Sequence, residues 1–226
     1  MKREVAQNIL NLSRESYNAM SVEFSRTRAT FWEELSFLAE HATPGMRALD
    51  IGCGNGRFYP LLKERQAVYT GLDNSTGLLG EARKAHPEAD FVDGDATTLP
   101  FPDSTFDIAF SFATIHHIPS RELRTAFIRE AARVLKRGST FVLTAWDLRQ
   151  AKHFGKFMLS LIPFTKFERG DMMLTFGNKK HQRYLHAFGE KELLKLLRTN
   201  GFEVIGMEVI ARKSGQKNFV VVAKKK

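Results

Sequence analysis

The chain has 226 residues, 43% of them hydrophobic and 26% charged, with a formal net charge of +9. That composition suits one globular domain with a full core and excludes a disordered or fibrous protein. The longest apolar stretch, Phe157 to Phe164, falls well short of the roughly 20 residues that cross a bilayer, so no membrane span is expected.

A lone cysteine, Cys53, cannot form an intrachain disulfide or supply a multi-cysteine zinc site, which fits a reducing compartment. The N-terminal run MKREVAQNILNL lacks the continuous apolar core and cleavage site of a secretory signal, so the expected location is the cytoplasm. Residues 1–44 read as two helices, closed by Pro44-Gly45, packing over the carboxyl ends of strands or along a sheet edge. Short apolar runs then alternate with helical stretches. The runs are Arg47 to Asp50 continuing into Ile51, Ala67 to Leu72, Phe91 to Val92, Phe106 to Phe112 and Thr140 to Ala145. Between them, Gly56 to Glu64, Ser75 to Ala85 and Arg121 to Leu135 carry apolar residues at three- and four-residue spacing.

Such alternation builds right-handed crossovers, hence an α/β, doubly wound, mostly parallel seven-stranded sheet. Residues 146–183 interrupt the pattern with a segment rich in Phe, Met and Lys. Regularity returns with an amphipathic helix, Glu190 to Thr199, stopped by Asn200-Gly201. Two strands follow, Phe202 to Ile210 and Asn218 to Ala223, joined by the hairpin-like turn Lys213-Ser214-Gly215-Gln216. One domain is expected over 1–226: a helical cap (1–44), a cofactor-binding core (45–150), an insertion or lid (151–183), and a C-terminal helix with a strand hairpin (184–226).

Charge is unevenly placed. Residues 1–150 hold 18 Lys and Arg against 19 Asp and Glu, and residues 151–226 hold 16 against 6. The excess fits either a polyanionic partner, nucleic acid before membrane surface, or a solvated basic face.

The most specific local signal is LDIGCGNGR, residues 49–57, between the first strand and a helix. Glycines there allow close backbone approach to a ligand and a sharp turn into the helix. A dinucleotide fingerprint would need glycine at 57, where this chain has Arg57. Asp50 just before the first glycine would crowd a pyrophosphate and suits a cationic ligand instead. Asp73, 23 residues on at the end of the second strand, is placed to accept from both hydroxyls of a ribose. Asp95, after the third strand, can accept from an adenine amine while the backbone amide of Ala96 donates to the ring.

These motifs resemble the class I S-adenosylmethionine-dependent methyltransferases, which order them along the chain in this way. The resemblance implies S-adenosylmethionine as cofactor, held by Tyr17, Asp50, Gly52, Gly54, Asn55, Asp73, Asn74, Asp95, Ala96 and Phe112. Cys53 has no base beside it and reads as packing. After the fourth strand, FATIHHIPS sets His116 and His117 near the transferred methyl. Either can be a base, part of an acceptor-orienting pair, or a helix-start feature.

A narrower resemblance rests on Tyr17, Phe24-Ser25, Thr27-Arg28 and Trp32, together with HQRYLHAFGEKEL at 181–193. Both blocks look like the tRNA wobble-uridine carboxymethyl methyltransferases. The chain departs from that family at Ala29-Thr30-Phe31-Trp32-Glu33, where the family has a Lys-Pro-Trp-Pro run, and at Leu185, where it has a second Tyr. The resemblance implies tRNA as partner, a carboxymethyl group on uridine 34 as acceptor, and, in some relatives, a small zinc-ribbon activator subunit docked on a sheet edge. A carboxylate acceptor is already ionised and needs cationic donors rather than a strong base. Arg28 and Arg183 are the candidate clamps, with His116 donating to the same group.

Residues 151–180 mix phenylalanines with Lys152, Lys156, Lys166 and Arg169. They fit base stacking with phosphate tracking, a lid over a lipophilic substrate, an interfacial helix, or core packing. The alternatives are therefore a small-molecule methyltransferase acting on a quinone or another lipophilic metabolite, and a non-enzymatic binding protein on the same fold.

Overall fold

The computed structural model describes residues 1–150, 154–160, 167–176 and 181–226. Helices α1 (Arg3–Ala19) and α2 (Ser21–Thr27) precede a 3-10 segment at Glu33–His41. The alternating core follows: β1 (Arg47–Ile51), α3 (Tyr59–Glu64), β2 (Val68–Asp73), α4 (Thr76–Ala85), β3 (Asp90–Asp93), β4 (Phe106–Phe112), α5 (Arg121–Val134) and β5 (Leu135–Trp146). Beyond it come α6 (Phe154–Ser160), β6 (Asp171–Phe176), β7 (His181–His186), α7 (Glu190–Arg198), β8 (Phe202–Ala211) and β9 (Lys217–Lys225).

Seven strands form one sheet in the order β3-β2-β1-β4-β5-β9-β8. The first five are parallel, and β9 runs antiparallel to both β5 and β8. The doubly wound, mostly parallel architecture expected from the alternation is therefore present. Period-two burial divides the side chains between two cores. On one face Leu49, Ile51, Phe106 and Leu143 pack with α5 and α7 through Phe127, Ile128, Leu193 and Leu197. On the other, Ala48, Ile108, Phe110 and Val142 pack with the 3-10 segment, α3 and α4 through Leu38, Leu62 and Leu79.

Strand direction fixes where the functional groups gather. β5 ends at Trp146 opposite Asn218, so the β8–β9 turn returns to the carboxyl ends of the parallel strands. That turn closes through Arg212 N to Gln216 O at 3.0 Å, with Gly215 at φ +78°. Helix α1 is laid across the same edge by side-chain capping: Asn18 Oδ1 accepts from Ser75 Oγ at 2.7 Å and from Gly77 N at 3.0 Å at the start of α4.

Three expectations need correction. The second N-terminal helix is a 3-10 segment, and α1 and α2 are separate. The chain leaves helical geometry before Glu33 so that Phe31 can enter the core, its ring centroid 4.8 Å from both Phe58 and Phe112. Residues read only as an irregular insertion include an antiparallel hairpin, β6 paired with β7, and the expected boundary at 183/184 falls inside β7. Its burial pattern does not alternate, which hides the strand from a period-two reading. The hairpin has a small core of its own, Leu148, Met172, Leu174, Leu185 and Ala187, against which Phe157 packs, while Met158 and Leu159 face outward. Residues 151–153, 161–166 and 177–180, with the basic side chains assigned to them, lie outside the described residues.

Candidate functional site

A cleft of about 400 Å³ lies at the carboxyl ends of β1, β2, β4 and β5, within the size range of small-molecule sites. Its walls include twelve of the thirteen residues assigned from sequence: Tyr17, Arg28, Asp50, Gly52, Gly54, Asn55, Asp73, Asn74, Asp95, Ala96, Phe112 and Arg183. The thirteenth, His116, is fully buried behind the wall, its ring 4.8 Å from Trp146 and its Nδ1 3.3 Å from Trp146 N. His117 lines the cleft in its place.

At one end the glycine loop turns out of β1 with Gly52 at φ +79° and Gly54 at φ +57°. A methyl on Gly52 would overlap Thr114 Oγ1 and come within 2.6 Å of its Cγ2, so the loop can lie against the segment following β4 only without a side chain there. Asp73 Oδ2 accepts from Gly54 N at 2.8 Å and Oδ1 from Ser75 N at 2.9 Å. These bonds fix the carboxylate and leave each oxygen a second lone pair for a ligand hydroxyl. Asp95 Oδ1 takes both the amide and the hydroxyl of Thr97, each at 2.7 Å, while no described residue bonds Oδ2. Asn55 Nδ2 donates to Arg28 O at 3.0 Å and ties the segment after α2 to the glycine loop.

Asp50 is buried, and burial pushes its carboxyl up to about 7, against the pull of the Tyr69 hydroxyl bonded at 3.1 Å. A buried carboxyl so poised favours a cationic ligand, which would restore its charge. Gly71 makes room for this pair: a side chain there would meet Tyr69 Oη at 2.6 Å and Cys53 Sγ at 2.9 Å. Burial raises the Cys53 thiol well above its ordinary value, so it is inert packing, as expected from sequence.

The cleft also carries a set of cationic and aromatic side chains. Arg28, Arg57, Arg183 and Arg212 all line the cleft. Arg57 lies 4.1 Å over the Trp32 ring, Arg212 4.6 Å over the same ring, Arg183 4.9 Å over Trp146, and Arg28 4.6 Å over Phe24. Desolvation, followed by repulsion from Arg28 and Arg212, lowers Arg57 to about 10. Desolvation and then Arg183 lower Arg28. These are groups waiting for negative charge.

His117 has a determined tautomer. Its Nδ1 lies 3.1 Å from Tyr184 O, an acceptor only, so Nδ1 carries the proton. Nε2 then accepts from the Tyr17 hydroxyl at 3.2 Å. Burial, and next Arg183, push this ring down to about 3, so it stays neutral. Of the roles open to the histidine pair, base catalysis is the one this environment disfavours. His117 holds Tyr17 and the β7 backbone together.

The strand that carries Arg183 is anchored from behind by a buried polar chain. Tyr184 Oη bonds Asp171, Asp171 bonds His186 Nδ1 at 2.7 Å, and His186 Nε2 meets Glu192 at 2.9 Å. Arg124, fully buried, donates to Tyr184 Oη at 3.2 Å and to Glu168 at 2.7 Å. Such a network is costly to break because each lost partner leaves a buried group unpaired.

Sequence reasoning missed Arg57, Trp146, His117 as distinct from His116, and Arg212. Arg57 carried a signal, since it stands where a dinucleotide site needs glycine. Arg212 carried none, being brought in by the antiparallel return of β8 and β9, and Trp146, at the end of β5, lay in no motif.

Residues 49–143 match the family model described as a methyltransferase domain. The chain is 35% identical over 191 residues to a protein of Encephalitozoon cuniculi named for a methyltransferase, covering 84% of this chain and 86% of that one. It is 32% identical over 134 residues to the tRNA (carboxymethyluridine(34)-5-O)-methyltransferase of Saccharomyces cerevisiae, covering 59% of this chain and 47% of that protein. A fatty-acid O-methyltransferase of Mycolicibacterium smegmatis is 38% identical over 113 residues, 48% of this chain and 40% of its own. Among solved structures, a SAM-dependent methyltransferase from Methanosarcina mazei superposes with a TM-score of 0.75 at 27% identity, over 87% of this chain and 98% of that one. The chain spans less than half of the yeast relative, and no helix among the described residues is long and apolar enough to cross a membrane.

The cleft fits S-adenosylmethionine on its own chemistry. Asp50 suits the cationic end, the fixed Asp73 carboxylate suits ribose hydroxyls, and Asp95 with Ala96 bounds the far end. The chain belongs to the class I S-adenosylmethionine-dependent methyltransferases, and it is an enzyme of that family.

Proposed function

We propose that the protein methylates the carboxylate of a 5-carboxymethyl group on wobble uridine 34 of tRNA, giving the methyl ester. The observation that carries this reading is the arginine set around the acceptor end of the cleft. No described carboxylate lies within ion-pair distance of Arg28, Arg57 or Arg212. Desolvated guanidiniums that lack an ion-pair partner select an anionic acceptor. S-adenosylmethionine supplies a methyl group on a sulfonium, which a carboxylate oxygen can take by in-line displacement.

The chain's own residues then have three tasks. Arg28 and Arg183 hold the carboxylate in line, their planar forks matching its two oxygens. Tyr17, fixed by His117, bounds the position of the reacting atoms. Phe31, Phe112 and Trp146 wall the site and exclude water. No base is required, because the acceptor is ionised at neutral pH, and the neutral His117 agrees with that. The sequence resemblance to tRNA methyltransferases and the C-terminal basic excess support a tRNA substrate. If an activator subunit docks on a sheet edge, β3 and β8 are the two edges of the sheet.

A lipophilic carboxylic acid is the second reading, favoured by the apolar lining of Phe24, Phe31, Trp32, Phe112, Ile118 and Trp146. The test is to incubate the protein with labelled S-adenosylmethionine and tRNA lacking the ester, digest to nucleosides and identify the labelled one. Label in the methyl ester of 5-carboxymethyluridine supports the proposal. Label only in a co-supplied fatty acid supports the second reading.

A further inference from the structure

The cleft holds more positive charge than a carboxylate acceptor can balance. Five arginines line it, Arg14, Arg28, Arg57, Arg183 and Arg212, against three aspartates, Asp50, Asp73 and Asp95, and the cofactor itself is a net cation. A monocarboxylate contributes a single negative charge. The remainder must be met by a second anionic group on the same ligand, or the site would hold uncompensated, partly buried charge.

Geometry shows where that second group would go. Trp32 carries two guanidiniums, Arg57 at 4.1 Å and Arg212 at 4.6 Å. Arg212 reaches on to Trp146 at 5.8 Å, and Trp146 also carries Arg183 at 4.9 Å. The order is a ladder: Arg57, Trp32, Arg212, Trp146, Arg183. Stacking occupies guanidinium faces and leaves their N–H edges for ligands. Arg57 and Arg212 make no side-chain hydrogen bond or ion pair with any described residue, and Arg212 Nε is buried without a partner.

Their neighbours separate the two ends of the ladder. Arg183 lies beside His117, and Arg28 beside Tyr17 and Arg183, where the methyl group is transferred. Arg212 stands on the β8–β9 turn, facing Glu34 and Arg28 rather than Asp50. Arg212 thus stands away from the cofactor's amino-acid end, whereas Arg57, the other guanidinium on Trp32, also feels Asp50 and links the two regions.

We propose that Arg57 and Arg212, both stacked on Trp32, form a phosphodiester site for the nucleotide that bears the acceptor, separate from the carboxylate site at Arg28 and Arg183. This rests on the reading of the acceptor as a tRNA nucleotide. A phosphodiester matches the planar guanidinium fork and supplies the missing charge, whereas a fatty acid offers no second anion. An unstacked nucleotide of a single-stranded loop also presents base and phosphate together to aromatic and cationic groups. The site thus makes the enzyme read the carboxylate and the backbone as a pair.

The experiment is a calorimetric titration of the full chain, saturated with S-adenosylhomocysteine. The probes are 5-carboxymethyluridine, its 3′- and 5′-monophosphates, and uridine monophosphates without the carboxymethyl group. Parent, Arg212→Met, Arg212→Lys and Arg183→Met are compared. One phosphate should tighten binding to the parent by about 10- to 100-fold. Arg212→Met should abolish that gain while leaving the nucleoside's affinity near the parent's, and Arg212→Lys should keep part of it. Arg183→Met should weaken the nucleoside yet keep the phosphate gain.

Equal affinity of nucleoside and nucleotides for the parent overturns the proposal. So does an Arg212→Met variant that weakens nucleoside and nucleotide alike, since Arg212 would then serve the carboxylate. Loss of S-adenosylhomocysteine affinity on Arg57→Met would reassign Arg57 to the cofactor and also overturn it. Arg212-dependent binding of plain uridine monophosphates, with no preference for the carboxymethyl group, would keep the phosphate site and reject the carboxymethyl acceptor, so the two failures are distinguishable.

Discussion

Arg183→Lys separates acceptor chemistry from maintenance of the fold. Arg183 lies on β7, with Tyr184, Leu185 and His186 buried on either the hairpin core or the polar network, so the strand stays docked when this cleft-facing side chain changes. Lysine keeps the charge but loses the planar fork and the guanidinium face that rests 4.9 Å from Trp146. Losing one charge-assisted hydrogen bond to an oriented carboxylate costs about 1.5–3 kcal/mol, which is roughly a 10- to 150-fold fall in rate. The same fall is expected for Arg28→Lys. Because Arg28 and Arg183 interact electrostatically, the double variant should depart from the sum of the two. The assay is single-turnover methylation at saturating cofactor, with cofactor affinity and melting temperature measured beside it and exposed Arg198→Lys as control. Parent-like rates in both variants, or a rate loss matched by lost cofactor affinity, would refute the carboxylate clamp.

Three further outcomes follow from the geometry. Cofactor affinity should fall by up to tenfold per pH unit below about 7 and level off above it, because Asp50 must release its proton to meet a cation; Asp50→Asn should flatten the calorimetric profile, and a flat parent profile would contradict the assignment. The sign reverses for the ligand-free protein: Asp50 has a raised carboxyl, so its contribution to stability is full below the ordinary value of 3.8 and is lost as pH rises toward 7. Gly52→Ala should abolish cofactor binding and lower the melting temperature, since its methyl overlaps Thr114 at a residue with φ +79°; Gly52→Ala with Thr114→Ala should recover part of both, and a fully active Gly52→Ala would contradict the packing. At saturating cofactor, the rate should show no histidine inflection between pH 5.5 and 8.5, because His117 is held neutral down to about 3; an inflection near 6.5 that His117→Asn removes would restore a base.

Much of this site was legible in the sequence because its cofactor half is local. Asp50, Gly52 and Gly54 lie within five residues at the end of β1, Asp73 ends β2 and Asp95 falls just past β3, strands whose position the alternation sets. The acceptor half is assembled across the chain, and that part was harder to read. Arg28 and Arg183 entered through family resemblance alone. Arg212 lies 155 residues beyond Arg57 in a short turn, and only the antiparallel return of β9 along β5 brings the two to one indole. His116 and His117 are identical in type and adjacent, so no pattern tells which enters the cleft. The 3-10 turn at Ile115–His117, entered through Ala113 at φ +56°, decides it by burying His116 against Trp146. The β6–β7 hairpin was hidden because, beside its small apolar core, β7 is held by Tyr184 and His186, polar groups satisfied by Asp171 of β6 where an alternating apolar face would be expected.

The central claim is that the acceptor is a carboxylate gripped by arginines within a tRNA loop. It is tested most directly with two anticodon stem-loops that differ only at uridine 34, one bearing a carboxymethyl group and the other its neutral amide. Labelled S-adenosylmethionine is supplied to each, and the labelled nucleoside is identified after digestion. The account predicts methyl transfer to the acid alone, as an ester labile in mild alkali, with no transfer to the amide. Equal labelling of both stem-loops, or alkali-stable label elsewhere in the loop, would contradict it.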